Sequence, residues 1–337
     1  MKVSNRTSSP EPKTILNLAS AVYPSFAFLT GMHLDIFTVL DDRPLTIEET
    51  ANALNLKSHI IERLLYALVS AGLLTVENGQ FANTEEASHY LVKGKPSYMG
   101  NHIFVSPFLN YHIWGAAVKT AEIIRAGEIQ KFDYSTASQE QLTEIFRSTM
   151  PIAIKSGEEL AKKYDFTPYS TLADVGGASG GLAASLAKAY PHLKVTVTDL
   201  QSITPVTKIL LEEQDASDVE VLTWNVLDGP CPLPFDAVVL RALIQVLSPE
   251  DARQAVTNIE KSVNPDGAIF VLGHIMDDSK VSPEEEVGWY LLNLHWDDEA
   301  GFYTEQDHRN MLQEAGFEDI ERDTLPNGDG LMIARKP

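Results

Sequence analysis

A glycine-rich segment between two acids is the first feature of this sequence that could carry chemistry. The segment from Asp174 to Gly181 reads DVGGASGG, after a strand-like apolar run and before a helical pattern. Glycines at such a turn let the backbone approach a ligand and leave amide groups free at the helix start. A second acid, Asp199, ends the next strand pattern 19 residues after Gly180. A carboxylate there can accept hydrogen bonds from both hydroxyls of a ribose.

The spacing of the glycines argues against two common cofactor sites. Gly176, Gly177, Gly180 and Gly181 do not fit the G-x-G-x-x-G fingerprint of dinucleotide enzymes, and the lysine of a Walker A loop is missing. Asp174 instead opens the loop two residues before the first glycine, which suits a ligand with a cationic ammonium and sulfonium. We therefore predict S-adenosyl-L-methionine as the cofactor.

The elements that position this loop alternate between strands and helices. Strands are predicted at 171–175, 194–198, 219–223, 237–240, 268–272, 320–324 and 330–334. Helices are predicted at 182–189, 206–214, 249–263, 284–295 and 305–315. Repeated β-α units imply an α/β fold with a doubly wound, mostly parallel sheet and with ligands beyond the carboxyl ends of its strands.

The N-terminal part carries the pattern of a winged helix. Helical periodicity covers 15–40, Thr46 and Glu49 have the spacing of a capping box, and a second helix is predicted at 60–71. A hairpin with an Asn-Gly turn follows at 73–83. Helix, helix and hairpin in this order predict a mainly α, winged-helix domain.

The winged helix is predicted to serve dimerisation rather than DNA binding. Its second helix is mostly apolar and offers only Arg63 to a phosphate backbone. The N-terminal helices lack enough local partners to bury Phe26, Phe28, Leu29 and Phe37. We therefore expect a homodimer.

Composition excludes several classes of partner. The 337 residues include 47 acids and 26 bases, a net charge of −21, which repels nucleic acid and anionic membrane surfaces. Cys231 is the single cysteine, so intrachain disulfides and a cysteine-built zinc site are excluded. The start of the chain lacks an apolar signal core, and an uninterrupted membrane-length apolar run is missing. A cytoplasmic enzyme is expected, with no membrane or metal in its function.

Three regions are expected. Residues 1–92 form the winged-helix dimerisation domain, 93–165 form a helical, aromatic-rich linker that contributes to a substrate pocket, and 166–337 form the cofactor-binding domain.

The chain resembles the small-molecule O-methyltransferases that carry an N-terminal winged-helix dimerisation domain, the group of the caffeate, flavonoid and acetylserotonin enzymes. The resemblance covers nearly the whole chain. It rests on the segments LTIEE at 45–49, RLLYALVSAGLL at 63–74, FRSTM at 146–150, the Asp174 loop, VTDL at 197–200 and AGF at 315–317.

The resemblance implies roles for individual residues. Asp174 and Gly176 would lie near the methionine part of the cofactor, and Asp199 would hold its ribose. The family's aspartate beside the adenine corresponds to Asn225, and its basic residue after the fourth strand corresponds to Arg241. The full set of expected cofactor-binding residues is Asp174, Gly176, Gly177, Gly180, Asp199, Leu200, Asn225, Val226 and Arg241. The residues expected at the small-molecule acceptor are Phe108, Tyr111, Phe146, Arg147, Met150 and Asn293.

The family's catalytic base is missing from this sequence. Gln245 stands where the family has a histidine, and Phe302 stands where it has the orienting glutamate. Glutamine cannot take a proton at neutral pH. The candidate substitutes are His274, His295, Tyr303 and His112, with Gln245 kept as part of the catalytic site.

Three hypotheses follow from the missing base. The acceptor is a thioether that has no proton to lose, such as 4-methylthio-2-hydroxybutyrate on the route to dimethylsulfoniopropionate, with Arg147 or Arg241 over its carboxylate. Alternatively, the acceptor is the hydroxyl of an aromatic natural product, and another group serves as base. In the third hypothesis, a descendant of the family binds S-adenosylmethionine without transferring methyl. A winged-helix regulator, from outside enzymology, would bind duplex DNA, which the net charge disfavours.

Overall fold

The structure is a computed structural model that describes residues 11–95, 97–100, 105, 115, 117–127, 133–295, 301 and 303–337. The chain divides into two compact units, residues 1–112 and 113–337. The boundary between these units falls within the region 93–165, which we expect to be a linker.

The first unit has the helix, helix, hairpin order predicted from the sequence. Its elements are α1 (Lys13–Ser20), α2 (Val22–His33), α3 (Ile36–Val39), β1 (Leu45–Thr46), α4 (Ile47–Ala53), α5 (Ser58–Ser70), β2 (Leu74–Glu77), β3 (Gln80–Asn83) and α6 (Glu85–Tyr90). The strands form an antiparallel sheet in the order β1-β3-β2.

Local signals in the sequence set the ends of these elements. Thr46 Oγ1 accepts a hydrogen bond from the Glu49 amide at 3.2 Å, and Glu49 Oε2 accepts one from the Thr46 amide at 2.8 Å. This confirms the capping box at the start of α4. Asn78 and Gly79 have φ of 50° and 77°, as a two-residue hairpin turn that follows the strand twist requires.

Apolar side chains of the first three helices divide between the core and the surface. Leu29 and Phe37 are buried and Phe28 packs against the same core, which corrects the expectation that these three lack local partners. Leu18 and Phe26 are exposed. Within the described part of the chain, α1 and α2 together are the one helical stretch apolar and long enough to cross a membrane, with mean hydropathy 1.3.

The second unit is built on a seven-stranded sheet in the order β6-β5-β4-β7-β8-β10-β9. Its elements are α7 (Thr120–Ala126), α8 (Gln139–Lys163), β4 (Thr171–Val175), α9 (Gly181–Ala189), β5 (Lys194–Asp199), α10 (Thr204–Glu213), β6 (Glu220–Thr223), β7 (Phe235–Arg241), α11 (Pro249–Glu260), β8 (Val263–Gly273), α12 (Glu284–Asn293), α13 (Glu305–Ala315), β9 (Glu318–Thr324) and β10 (Gly330–Arg335). Strands β4 to β8 pair in parallel, and β10 and β9 pair antiparallel at one edge. The predicted doubly wound, mostly parallel α/β sheet is confirmed.

Helices cover both faces of this sheet. Successive strand residues point to opposite faces, so Leu172 of β4 joins one hydrophobic cluster and Ala173 joins the other. Side chains from α8, α9 and α10 complete the first cluster, and side chains from α11 and α13 complete the second. Burial on both faces explains why the central strands read as apolar runs in the sequence.

The largest boundary difference lies between α11 and β8. The sequence predicts a helix to residue 263 and a strand from 268, whereas α11 ends at Glu260 and β8 begins at Val263. Val263 pairs with Phe235, and the register shifts before the regular ladder resumes. Asp266 within this irregular segment has φ of 61°, a value typical of turns. The segment nevertheless belongs to β8.

The parallel strands bring their carboxyl ends to one edge of the sheet. The chain passes from β4 to β5 on one side, while β7 lies on the other side of β4, and this reversal opens a crevice beside β4. The Asp174 loop follows β4, Asp199 ends β5, Gln245 lies just after β7, and His274 lies just after β8. The fold therefore gathers these predicted residues at this edge.

Candidate active site

The loop after β4 depends on glycine because its backbone closes over Asp174. A Cβ on Gly177 would lie 2.7 Å from Asp174 Cγ and 2.8 Å from Val197 Cγ1, closer than real Cβ contacts come. Gly176 and Gly180 flank this point with φ of 67° and 71°. The loop thus forms a tight cradle against the ends of β4 and β5.

Asp174 is a buried carboxylate that fits a cationic ligand. Neither of its carboxylate oxygens has a hydrogen-bond partner among the described residues. Burial raises the pKa of Asp174 to about 7, because the charged form loses its hydration. A buried carboxylate without a partner is costly, and an ammonium group would satisfy it. Asp174 therefore suits the amino group of S-adenosylmethionine.

Asp199 is held in place by the same loop. Its Oδ2 accepts a hydrogen bond from the Ala178 amide at 2.9 Å, and its Oδ1 accepts one from the Leu200 amide at 2.8 Å. Burial raises the pKa of Asp199 to about 6. Each carboxylate oxygen keeps a further lone pair, so the side chain can still accept ribose hydroxyls.

A cavity of about 700 Å³ adjoins the end of β5. It is lined by Ser135, Leu200, Gln201, Ser202, Thr223, Trp224, Asn225 and Asp228. Two of the predicted cofactor residues, Leu200 and Asn225, are among them. A cavity with apolar and polar walls, lined by the residue that follows Asp199, fits an adenosine group.

Asp228, a carboxylate that the sequence did not predict at the site, lies beside Asn225. Asn225 Nδ2 donates to Asp228 Oδ1 at 3.1 Å, and Asn225 Oδ1 accepts from the Leu227 amide at 3.1 Å. Asp228 thus brings a negative charge to the cavity where the family's aspartate is replaced. Val226 is buried in the hydrophobic core, so its side chain serves packing.

Arg241 at the end of β7 is held by distant parts of the same unit. Its Nε donates to Ser156 Oγ of α8 at 2.8 Å, and it lies 3.7 Å from Asp329 Oδ2 in the turn before β10. Its positive charge lowers the pKa of Asp174, against the larger effect of burial. Arg241 therefore acts electrostatically on Asp174. Its guanidinium is hydrogen-bonded to Ser156 and lies near Asp329.

Gln245, at the predicted catalytic position, contacts His274. Gln245 lies in a short 3₁₀ turn, Ile244–Val246, and its Oε1 accepts a hydrogen bond from the His274 backbone amide at 3.0 Å. His274 Nδ1 is hydrogen-bonded to Glu286 Oε2 of α12. Its ring stacks on Trp289 with centroids 5.4 Å apart. The backbone of His274 thus lies beside Gln245, which stands at the position of the missing family base.

Two other candidate bases are placed less favourably. Tyr303 donates its hydroxyl hydrogen to the Leu247 carbonyl at 2.7 Å, and burial raises its pKa to about 12, which makes it a poor proton acceptor. His295 Nε2 shares a hydrogen bond with Thr120 Oγ1 at 2.9 Å. Burial lowers the pKa of His295.

The predicted acceptor residues on α8 divide between an apolar cluster beside the Asp174 loop and an ion pair. Phe146 and Met150 pack in a cluster with Leu200 and α10, and the Phe146 ring stacks on Tyr134. Arg147 forms a bidentate, half-exposed pair with Glu213, with distances of 3.0 and 2.6 Å. This pair occupies the guanidinium fork that a substrate carboxylate would need.

Asn293 on α12 retains a feature expected of a ligand-binding residue. Its Nδ2 is buried without a hydrogen-bond partner among the described residues. Four other predicted residues, Phe108, Tyr111, His112 and Phe302, lie outside the described part of the chain. In the part that is described, no group of three or more His, Cys, Asp or Glu side chains could hold a metal ion.

Comparison with known proteins shows which family most of the chain matches. Residues 120–318 match the model of an O-methyltransferase domain, and residues 16–93 match that of an O-methyltransferase dimerisation domain. The tetracenomycin polyketide synthesis 8-O-methyl transferase TcmO of Streptomyces glaucescens is 28% identical over 97% of both chains. The N,N-dimethyltransferase OxyT of Streptomyces rimosus is 25% identical, again over 97% of both. Human N-acetylserotonin methyltransferase in complex with S-adenosylmethionine shares the fold, with a TM-score of 0.78, 22% identity, and coverage of 98% of this chain and 99% of the human one.

Proposed function

The chain belongs to the O-methyltransferase family and is an S-adenosylmethionine-dependent methyltransferase, and from this premise we propose that its acceptor is a hydroxyl group on a small aromatic molecule. The family membership leaves open which atom receives the methyl group. The choice of a hydroxyl rests on the chemistry available at the acceptor end of the site.

One observation favours a hydroxyl: the backbone of His274 is bonded to Gln245, at the position of the missing base. A phenol with a pKa of about 10 is only about one-thousandth ionised at neutral pH, so its methylation needs a proton acceptor. A positioned base contributes about 10²- to 10⁴-fold. His274, whose amide bonds to Gln245, can supply that group. The main reason to prefer a thioether acceptor therefore falls away.

The contacts of two arginines also argue against an acceptor that carries both a thioether and a carboxylate. We expected Arg147 or Arg241 to hold that carboxylate, but Arg147 is paired with Glu213 and Arg241 is bonded to Ser156. The Trp289 indole stacks on the His274 ring, so the surroundings of this histidine are aromatic. Aromatic rings pack favourably against one another, and TcmO, the relative named above, takes part in the synthesis of a polyketide.

In this proposal, different residues of the chain bind the cofactor, bind the acceptor and receive the proton. The cofactor, when bound, supplies a methyl group on a sulfonium. Asp199 and the Asp174 loop fix the cofactor, so the methyl group meets the acceptor in a fixed orientation. The α12 residues Trp289 and Asn293 are placed to bind the acceptor. His274 receives the proton that the hydroxyl loses.

A labelled-methyl transfer assay tests this proposal. Purified protein with labelled S-adenosylmethionine is offered phenols such as 2-naphthol and 1,2-dihydroxynaphthalene, aromatic amines, and 4-methylthio-2-hydroxybutyrate. We expect label on the phenols. Transfer to the thioether alone would revive the earlier hypothesis, transfer to amines alone would indicate chemistry like that named for OxyT, and absence of S-adenosylhomocysteine would indicate a non-methylating protein.

A further inference from the structure

We infer that Glu286 positions His274 as the catalytic base, so that a His274–Glu286 pair replaces the histidine and glutamate that the family motif lacks in this chain. This inference rests on the proposed hydroxyl acceptor. It deepens that proposal because it assigns the residue that makes the base effective.

The contact between the two side chains is direct. His274 Nδ1 and Glu286 Oε2 are hydrogen-bonded, with side-chain exposures of 25% and 12%. Partial burial strengthens such a pair relative to one in open solvent. Glu286 lies in the acidic first turn of α12, where the helix dipole stabilises a negative charge. The carboxylate is therefore well placed to hold the imidazole.

The backbone at His274 is fixed from a second direction. The Gln245 side chain accepts the His274 amide hydrogen at 3.0 Å, and it needs Gly273 to do so. A Cβ at Gly273 would lie 2.6 Å from Gln245 Oε1, and Gly273 has φ of 148°. Gln245, which stands where the family has its base, thus fixes the backbone at His274, the base that we propose.

The hydrogen bond to Glu286 also sets the tautomer of the ring. A carboxylate accepts but does not donate, so Nδ1 carries the hydrogen and Nε2 carries the lone pair in the neutral ring. In the reaction, the hydroxyl proton passes to Nε2 as the oxygen forms its bond to the methyl carbon. The electron pair of the broken carbon–sulfur bond remains on sulfur, and the imidazolium later loses its proton to water. Glu286 stabilises the imidazolium in between.

The other described histidines of the second unit are less suited to this role. His308 is buried, its Nδ1 is bonded to the Thr304 carbonyl, and burial lowers its pKa to about 4. His192 is exposed just before β5, at the opposite end of that strand from Asp199. His295 is bonded to Thr120 and has its pKa lowered by burial. His274, in contrast, is bonded to a carboxylate of α12.

Kinetics of matched variants test the pair. With a phenol that the wild-type enzyme methylates, Glu286→Gln is expected to lower kcat at least about tenfold, and His274→Gln about 10²- to 10⁴-fold. The KM and the dissociation constant for S-adenosylmethionine should stay unchanged. Glu285→Gln, which makes the same change at an exposed position of α12, and His192→Gln should retain full kcat.

A spectroscopic measurement tests the pair without a substrate. In ¹⁵N NMR spectra of histidine-labelled enzyme with S-adenosylhomocysteine at about pH 8, we expect His274 to carry its hydrogen on Nδ1. The signals are assigned by their loss in His274→Gln, and Glu286→Gln should weaken the preference for this tautomer while Glu285→Gln leaves it unchanged.

Two failures can be told apart. If wild-type enzyme transfers methyl to no hydroxyl, the proposed function fails. If wild-type enzyme methylates phenols but Glu286→Gln keeps full kcat, or if His274 carries its hydrogen on Nε2, the inference about the pair is overturned while the proposed function stands.

Discussion

Two buried carboxylates, Asp174 and Asp199, make the candidate cofactor site sensitive to pH. Burial raises the pKa of Asp174 to about 7 and that of Asp199 to about 6 in the cofactor-free protein. In an unfolded chain the pKa of aspartate is about 3.9. Between these values the folded protein binds more protons than the unfolded chain. These two groups therefore make the cofactor-free protein less stable as the pH rises from about 4 to about 7.

Cofactor binding should show the opposite dependence on pH. The ammonium group of S-adenosylmethionine pairs best with an ionised Asp174, so we expect its affinity to increase as the pH rises from about 5.5 to about 7.5. Isothermal titration calorimetry across this range measures the change. Asp174→Asn should flatten the profile as well as weaken binding, and an affinity of wild-type protein that stays constant with pH would contradict the role of Asp174.

At the scale of elements, the turn from β4 to α9 decides whether the cofactor fits. Gly177 leaves no room for a side chain beside Asp174 and Val197, so the loop can take its path only with glycine there. The hydrogen bond from Ala178 to Asp199 then ties the loop to β5. The same short turn therefore controls both carboxylates.

A single added methyl group should disrupt this turn. Gly177→Ala is expected to weaken S-adenosylmethionine binding by at least about tenfold, because overpacking of this kind costs about 1–3 kcal/mol and shifts the loop. Calorimetric titration measures the loss. Gly288→Ala on α12 is the matched control, since a Cβ there meets nothing within 4 Å. Equal affinities of the two variants would show that the loop tolerates the displacement.

At the scale of the whole molecule, the first unit leaves an apolar helical surface uncovered. Ile15, Leu18 and Tyr23 of α1 and α2 are 69%, 70% and 72% exposed. Exposed apolar surface of this kind marks an interaction site in a soluble protein, and the region matches an O-methyltransferase dimerisation domain. We therefore expect a homodimer that buries this surface.

One charge on this surface should separate the protomers. Burying an unpaired carboxylate is costly, so Leu18→Glu is expected to shift the protein from dimer to monomer in size-exclusion chromatography with light scattering. Ile60→Glu is the control. Ile60 is also exposed, at 59%, but lies on α5, a different helix of the first unit. Dissociation by Ile60→Glu but not by Leu18→Glu would assign the interface to α5.

The sequence by itself determined the features that depend on neighbouring residues. The capping box at Thr46, the Asn-Gly turn, the alternation of strands and helices and the glycine loop are all local patterns, and each is found where the sequence predicts it. The placement of Asp174 and Asp199 at one edge also followed from the sequence, because parallel strands end together.

The tertiary structure alone decided which distant side chains meet. Glu286 reaches His274 across 12 positions, Glu213 occupies Arg147 across 66, and Ser156 holds Arg241 across 85. Such contacts depend on how helices pack against the sheet and in which direction their side chains point, and a periodic pattern in the sequence specifies neither. For this reason the sequence could show that the family base is missing and could name His274 as one of several substitutes, whereas the pairing with Glu286 became visible only in the folded chain.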